Sequence, residues 1–175
     1  MIPLSFPCLV ICFGIFFSSL AAQTVTVDVG LKGKYRGIEV AKLDVALDVD
    51  IPTNQINVVF LEIVDELYKI KKFDRITKLG SNPNARSANS MPTIRLEGTI
   101  AKYFALVPQK YTTEGGDIGS HLKLTIKFMD AADGKLLFEK EIDRRIFFGA
   151  YQFTLDDVGR KVAKEVAKIT KKTFF

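Results

Sequence analysis

One long alternating pattern constrains the fold of this chain more than any other feature of its sequence. Apolar residues take every second position before a turn, and the same parity resumes after it: Leu122, Leu124, Ile126, Phe128, then Leu136, Phe138, Ile142, Ile146 and Phe148. Lys140 and Arg144 interrupt the second series. A period of two predicts strands with one buried face, and the Asp-Ala-Ala-Asp-Gly sequence at 130–134 predicts a reversal. The pattern therefore predicts a long antiparallel hairpin.

Two other segments have the period of an amphipathic helix. Residues 54–70 place apolar side chains three and four positions apart: Ile56, Val59, Phe60, Ile63, Val64, Leu67 and Ile70. The C-terminal segment has the same spacing: Leu155, Val158, Val162, Val166 and Ile169. Thr154 and Asp157 stand at capping-box spacing where this second segment begins. Each segment is predicted to pack one apolar face on a core.

Shorter alternating runs predict the remaining strands, at 25–29, 38–49, 73–79 and 94–104. In the last run Gly98 shares the parity of the apolar residues Ile94, Leu96, Ile100 and Phe104. A glycine there predicts a bend or the close approach of another backbone. The chain order is thus strand, strand, helix, strand, strand, hairpin, helix. It predicts an α+β fold, in which a mixed or antiparallel sheet carries two helices packed on one face.

The first 22 residues have the composition of a secretory signal. They contain no charged side chain, and 16 of the 22 are apolar. Pro3 and Pro7 interrupt the start, and small residues close the segment, which predicts cleavage near Ala22 and Gln23. An uncleaved membrane anchor is the alternative. We therefore expect a signal peptide at 1–22 and one α+β domain at 23–175, exported to the periplasm or the extracellular space.

The two cysteines of the chain both lie in this leader. Neither Cys8 nor Cys12 follows the small-residue triplet that lipid attachment requires, so lipidation is not expected. Residues 23–175 contain no cysteine and cannot form a disulfide in an oxidising compartment.

Few residues of the chain are candidates for catalysis or metal binding. His121 is the only histidine, and it has the parity of Lys123, so we expect it to be exposed to solvent. Asp48 and Asp50 could share a cation, but Ca²⁺ requires six or more oxygen ligands, and the pair is interpreted instead as a strand end and helix cap. No catalytic, cofactor-binding or metal-binding residue is assigned, and no cofactor is expected.

The last helix carries an excess of basic residues. Six basic side chains (Arg160, Lys161, Lys164, Lys168, Lys171 and Lys172) stand against three acidic ones (Asp156, Asp157 and Glu165). Such a face is usually solvated, and the alternative is weak attraction to an anionic membrane surface or an acidic partner. Nucleic acid is not expected as a partner, because the basic residues are not interleaved with aromatic residues on a strand.

Four segments in a fixed order carry a family resemblance. They are the strand at 38–49 with the helix ending at Ile70, the Phe-Asp-Arg-Ile sequence at 73–76, the Arg-Leu-Glu-Gly-Thr-Ile sequence at 95–100, and the turn at 130–135 with the last helix. In these segments the chain resembles the bacterial exported domain of unknown function 4410, which is related in shape to small envelope lipoprotein domains. The resemblance implies an exported location and an α/β layered fold, with no catalytic residue to transfer. Members often have a lipobox cysteine, which this leader lacks.

These observations favour a non-enzymatic domain of the cell envelope. We expect it to bind an envelope protein or a cell-surface component, as an interaction partner or an accessory of envelope assembly or maintenance. Loops 80–92 and 108–120 are the expected contact regions. One alternative is a small-molecule-binding or hydrolytic protein that uses Asp, Glu, Lys and Tyr, which requires a pocket with at least two converging carboxylates. The other is a peripheral membrane protein bound through its basic last helix.

Overall fold

A computed structural model of the chain describes residues 29–80, 91–104, 119–147 and 155–175. Six strands in these ranges form a mixed sheet with two helices, which confirms the predicted α+β class. After a 3-10 turn at Val29–Leu31, the elements are β1 Gly37–Val40, β2 Asp44–Val45, α1 Thr53–Ile70, β3 Arg75–Lys78, β4 Thr93–Phe104, β5 Gly119–Asp130, β6 Leu136–Phe147 and α2 Leu155–Phe174. The leader at 1–22, most of the strand at 25–29 and the cap at Thr154 lie outside the described residues.

The sheet combines a parallel half and an antiparallel half. Its strand order is β3-β1-β4-β5-β6, and β2 pairs with β4 beside this path. Strand β1 is parallel to both β3 and β4, whereas β4, β5 and β6 are successively antiparallel. Parallel neighbours require a long crossover, which α1 supplies between β1 and β3. The predicted hairpin forms the β5–β6 half.

The core lies between the helices and one face of the sheet. Seven of the nine apolar residues predicted on one face of the hairpin are buried: Leu122, Leu124, Ile126, Phe128, Phe138, Ile142 and Ile146. The prediction is wrong for Leu136, which is 42% exposed beside the register shift between Phe128 and Met129. Phe148 lies outside the described residues. The apolar stripes of both helices join the same cluster. Helix α1 ends where Lys71 adopts a left-handed conformation with a φ of 53°.

The two helices run parallel to each other. Near their first turns, a Cβ atom added to Gly159 would lie 3.3 Å from Cγ2 of Val59, so the backbones approach closely there. Just beyond their last turns, the rings of Phe73 and Phe175 meet edge to face with centroids 5.1 Å apart. Both helices therefore terminate at the same end of the molecule.

The strand predicted at 38–49 is interrupted after Val40 and paired again only at Asp44 and Val45. Leu43 is buried, but Leu47 is fully exposed, so the apolar alternation does not continue to Val49. Gly98 explains the change: a Cβ atom there would lie 2.6 Å from Cδ2 of Leu43. The close approach predicted at Gly98 is thus made by a side chain rather than by a backbone.

A register shift between Ile100 and Lys102 reverses the parity of β4 near its end. Tyr103 then lies opposite Leu122 of the core face, and Phe104 lies opposite His121 of the outer face. The prediction that Phe104 continues the apolar row is wrong, because 47% of this residue is exposed. Among the described residues, no helix combines the length and the apolar character needed to cross a membrane.

Candidate functional site

The outer face of the sheet, opposite the helices, is built from paired charges on the hairpin. Nζ of Lys123 lies 2.8 Å from Oε2 of Glu141, and Nζ of Lys127 lies 3.7 Å from Oε1 of Glu139. Cross-strand pairs of this kind on an exposed face each contribute about 0.2–1 kcal/mol. Because basic and acidic groups alternate, these rows stabilise the hairpin without creating a strongly charged surface.

A buried ion pair lies on the same face towards the parallel half of the sheet. Glu39 of β1 and Arg95 of β4 are register partners, and Nη2 of Arg95 lies 3.4 Å from Oε2 of Glu39. The Glu39 side chain is only 2% exposed. A buried charge is tolerated when it is paired, so this contact is best explained as a structural link between β1 and β4. No sequence motif marks it, since the two residues are 56 positions apart.

The only histidine is held by a neighbouring strand. Nε2 of His121 lies 2.8 Å from Oδ1 of Asp143, and only 11% of the His121 side chain is exposed. The expectation of a solvent-exposed histidine is therefore wrong: Asp143 and Phe104 border His121 on the adjacent strands. Ser120, the next residue in the chain, takes the alternate position along β5 and is buried, so it is not aligned with this pair as a nucleophile would be.

A shallow depression lies beside His121, at the end of the sheet where the helices begin. Its cavity volume is only about 10 Å³, and its described lining is Val59, Tyr103, Phe104, Ser120, His121, Leu122, Val158 and Gly159. Typical small-molecule sites occupy ~300–1,000 Å³. Burial raises the pKa of Tyr103 above its ordinary value. The described lining contains no carboxylate, whereas the hydrolytic alternative requires two that converge.

Asp48 and Asp50 are exposed in the segment between β2 and α1. Pro52 takes the N-cap position of α1, and no side chain caps this helix. The helix-cap interpretation is therefore wrong, and the strand-end interpretation fails as well, since β2 ends at Val45. In the described part of the chain, no group of three or more His, Cys, Asp or Glu side chains could hold a metal ion.

A polar cluster that the sequence does not signal joins distant parts of the chain. The Tyr35 hydroxyl donates a hydrogen bond of 2.8 Å to Oδ2 of Asp130, and Nζ of Lys34 donates one of 3.2 Å to the Tyr35 hydroxyl. Tyr35 is 1% exposed. Burial raises its pKa above 10.0, and the bond to Asp130 raises the pKa further. This cluster anchors the segment before β1 to the hairpin turn.

The parallel helices bring lysines from three elements to one end of the molecule. Lys171 and Lys172 lie in the last turn of α2, and Lys71 and Lys72 follow α1. Lys32 joins them, because the adjacent Gly33 N–H donates a 2.9 Å hydrogen bond to the carbonyl of Phe174. We call these five exposed lysines, Lys32, Lys71, Lys72, Lys171 and Lys172, the basic end. The sequence showed only its α2 members as a group.

Solved structures share this fold at low sequence identity. The chain matches a PelC dodecamer from Paraburkholderia phytofirmans with a TM-score of 0.55 and 12% identity, over 83% of this chain and 92% of that chain. It matches XCC0632 from Xanthomonas campestris, of the family DUF330, with a TM-score of 0.56 and 12% identity, over 85% and 91%. It matches the hypothetical protein CT253 from Chlamydia trachomatis with a TM-score of 0.55 and 9% identity, over 79% and 97%.

At these identities the likeness shows a common fold. No family model and no curated protein matches the chain. The resemblance to the exported domain 4410 therefore stays a prediction.

Proposed function

We propose that this chain is an exported, non-enzymatic domain of the bacterial cell envelope that acts by assembling with other protein chains. The observation that carries the proposal is the fold shared with PelC, which forms a dodecamer. The uncharged apolar leader supports export. The assembly includes either further copies of this chain or another envelope protein.

The edge strand β6 opposes uncontrolled pairing with the strands of other molecules. Association is therefore expected at other surfaces of the domain. Strand β6 lies at the end of the strand order and is 12 residues long. Arg144 lies between the buried residues Ile142 and Ile146 in the core-facing series of this strand and is partly buried, whereas Lys140 is exposed. Nη2 of Arg144 reaches Oε2 of Glu165 on α2 at 3.0 Å. Inward-facing charges on an edge strand oppose uncontrolled pairing with other sheets. The contact with Glu165 explains the interruption of the apolar pattern at Arg144.

Loops 80–92 and 108–120 remain the proposed contact regions. They connect β3 to β4 and β4 to β5, and all but their ends lie outside the described residues. Loops held by a rigid scaffold are common sites of binding. We expect replacement of residues 83–88, and separately of 110–116, by Gly-Ser sequences of equal length to weaken assembly and leave the unfolding temperature unchanged.

Export and assembly are tested together in a bacterial host. The full chain is expressed, the cells are fractionated, and the periplasmic product is analysed by intact mass spectrometry and size-exclusion chromatography with light scattering. We expect a chain that begins near Gln23 and elutes as several copies or with an envelope protein. A chain that begins at Gln23 after an initiator Met is the control and should stay in the cytoplasm. An uncleaved product, or a monomer without an associated protein at every concentration, would contradict the proposal.

A further inference from the structure

We propose that the basic end is a docking surface for an anionic phospholipid membrane. The inference goes beyond the proposed function, because binding to lipid requires neither export nor assembly. It starts from a juxtaposition made by the fold: the parallel packing of α1 and α2 places Lys71 and Lys72 at the same end of the molecule as Lys171 and Lys172. The Gly33 to Phe174 hydrogen bond adds Lys32 to the same end.

The acidic groups described nearby are largely engaged by other cations. Oδ2 of Asp130 lies 3.8 Å from Nζ of Lys34, and Oδ2 of Asp74 lies 3.5 Å from Nε of Arg36. Nζ of Lys69 likewise lies 2.7 Å from Oε1 of Glu66. Asp133 adds a negative charge near Lys34. No ion pair joins any basic-end lysine to another described residue. Within the described part of the chain, five positive charges are therefore available to an external partner.

The dipoles of the two helices account for only part of this lysine cluster. Each helix C-terminus carries about −0.5 of an elementary charge, which favours basic residues in the last turn. That reason applies to Lys171 and Lys172. Lys72 lies beyond the left-handed residue that ends α1, and Lys32 belongs to no helix that ends here. The helix dipoles therefore do not explain all the lysines of the basic end.

The chemistry of the surface favours lipid headgroups over an acidic protein. All five members are lysines, whose compact charge on a flexible stem suits a diffuse layer of phosphates, whereas planar recognition of carboxylates favours arginine. The half-buried rings of Phe73 and Phe175 lie at this same end. Phenylalanine together with basic residues also occurs in amphipathic helices that bind membrane interfaces.

The position of the leader supports the same orientation. The 3-10 turn at Val29–Leu31 directly precedes Lys32 of the basic end. Only residues 23–28 separate this turn from the predicted cleavage site. A signal segment enters the membrane during export, so before cleavage the predicted leader would hold this turn close to the bilayer.

The proposal is tested with purified protein and lipid vesicles by co-sedimentation. The vesicles contain phosphatidylglycerol mixed with phosphatidylcholine, or phosphatidylcholine alone. The test variant carries Lys71→Gln, Lys72→Gln, Lys171→Gln and Lys172→Gln. The control variant carries Lys42→Gln, Lys102→Gln, Lys161→Gln and Lys164→Gln, which removes the same charge from exposed lysines elsewhere. Circular dichroism and the unfolding temperature verify that both variants fold, and light scattering reports their assembly separately.

We expect the unmodified protein to bind the anionic vesicles and not the neutral ones, with binding lost in 0.5 M salt at a Debye length of roughly 4 Å. Each lysine near an anionic surface strengthens binding about fivefold. The test variant should therefore bind at least about 100-fold more weakly, and the control variant should retain most of its binding. Absence of binding to anionic vesicles at low salt would overturn the proposal. Equal losses of vesicle binding in the two variants would overturn it as well. Tighter binding of the protein to polyglutamate than to the vesicles would also overturn it.

Discussion

At the residue scale, Gly98 shows how a missing side chain positions a neighbouring segment. A Cβ atom at this position would meet Cδ2 of Leu43 at 2.6 Å and Cδ1 of Leu124 at 3.4 Å. The space above β4 is therefore occupied by Leu43, which follows β1 and is buried. The glycine is needed for this contact rather than for an unusual backbone angle.

We predict that Gly98→Ala lowers the free energy of unfolding by about 1–3 kcal/mol, because the added methyl group overpacks the site. Gly80→Ala is the control, since no atom lies within 4 Å of the Cβ position at Gly80. Urea denaturation measures both variants. Adding Leu43→Ala to Gly98→Ala should cost less than the sum of the two single changes. Equal effects of the two glycine substitutions would contradict this explanation.

Tyr35 is the second residue whose environment makes a measurable prediction. Its hydroxyl donates to Asp130 and accepts from Lys34, so Tyr35→Phe removes two hydrogen bonds to charged groups. The substitution should cost about 1.5–3 kcal/mol at pH 7, mostly from the bond to Asp130, because Lys34 is exposed. Burial also raises the pKa of Tyr35 above its ordinary 10.0. The folded protein thus retains this proton more strongly than the unfolded chain, so the stabilisation is complete below pH 10 and is lost as pH rises through the raised pKa.

The pH dependence of Tyr35→Phe separates this contribution from those of the lysines. Unfolding is measured in urea from pH 7 to pH 11.5. The difference in stability between the unmodified protein and Tyr35→Phe should shrink as pH rises above about 10. Tyr68→Phe, at an exposed tyrosine, is the control for the removal of a tyrosine hydroxyl and is measured at the same pH values. A constant difference for Tyr35→Phe would show that the tyrosine titrates alike in both states.

At the element scale, the interrupted strand between β1 and β2 separates two leucines that the alternating pattern treats as equivalent. Leu43 fills the space over Gly98, whereas Leu47 is fully exposed. We predict that Leu43→Ala lowers the free energy of unfolding by about 2–5 kcal/mol and that Leu47→Ala changes it by less than about 0.5 kcal/mol. The same urea titration compares them. Similar losses at both positions would support a continuous strand to Val49.

The bulge in β4 likewise changes which side chains are buried, here at the end of the strand. A local period of two assigns Phe104 to the core, but one register shift moves it to the outer face and moves Tyr103 inward. A bulge depends on the partner strand, and residues 105–118 separate β5 from β4 in the chain. The sequence therefore predicts the strand correctly, but it assigns the last residues of the strand to the wrong faces of the sheet.

At the scale of the whole molecule, Phe174 joins the beginning of the described chain to its end. Its buried ring meets those of Tyr35 and Phe128 with centroids 5.9 and 5.2 Å apart. Its carbonyl accepts a hydrogen bond from the Gly33 N–H. The last turn of α2 thus closes the core at the end where the hairpin turns.

We predict that Phe174→Ala lowers the free energy of unfolding by about 3–5 kcal/mol, as expected for a fully buried aromatic residue. Phe175→Ala is the matched control, because Phe175 is only half-buried and contacts Phe73 alone among the described rings. It should cost less than half as much. Thermal unfolding followed by circular dichroism checks the order of the two variants, and a reversed order would contradict the role given to Phe174.

The sequence by itself determined the class of fold and most of its elements. Helix α1 begins within one residue of the predicted start, and the hairpin turns at the predicted Asp130 to Gly134. The reason is that buried side chains recur with the period of the element, which is 3.6 residues in a helix and 2 in a strand. The spacing of apolar residues therefore indicates the type of element directly. The uncharged leader is likewise a local signal, and it supports the proposal of export.

Only the tertiary structure decided which distant residues meet. The pairing of Glu39 with Arg95, the contact of His121 with Asp143 and the gathering of the basic-end lysines all depend on strand order or on the parallel packing of the helices. Such contacts leave no periodic trace in the sequence, because they join residues that lie tens of positions apart. Periodicity predicts which face of an element is buried, whereas the packing of elements decides what lies against that face.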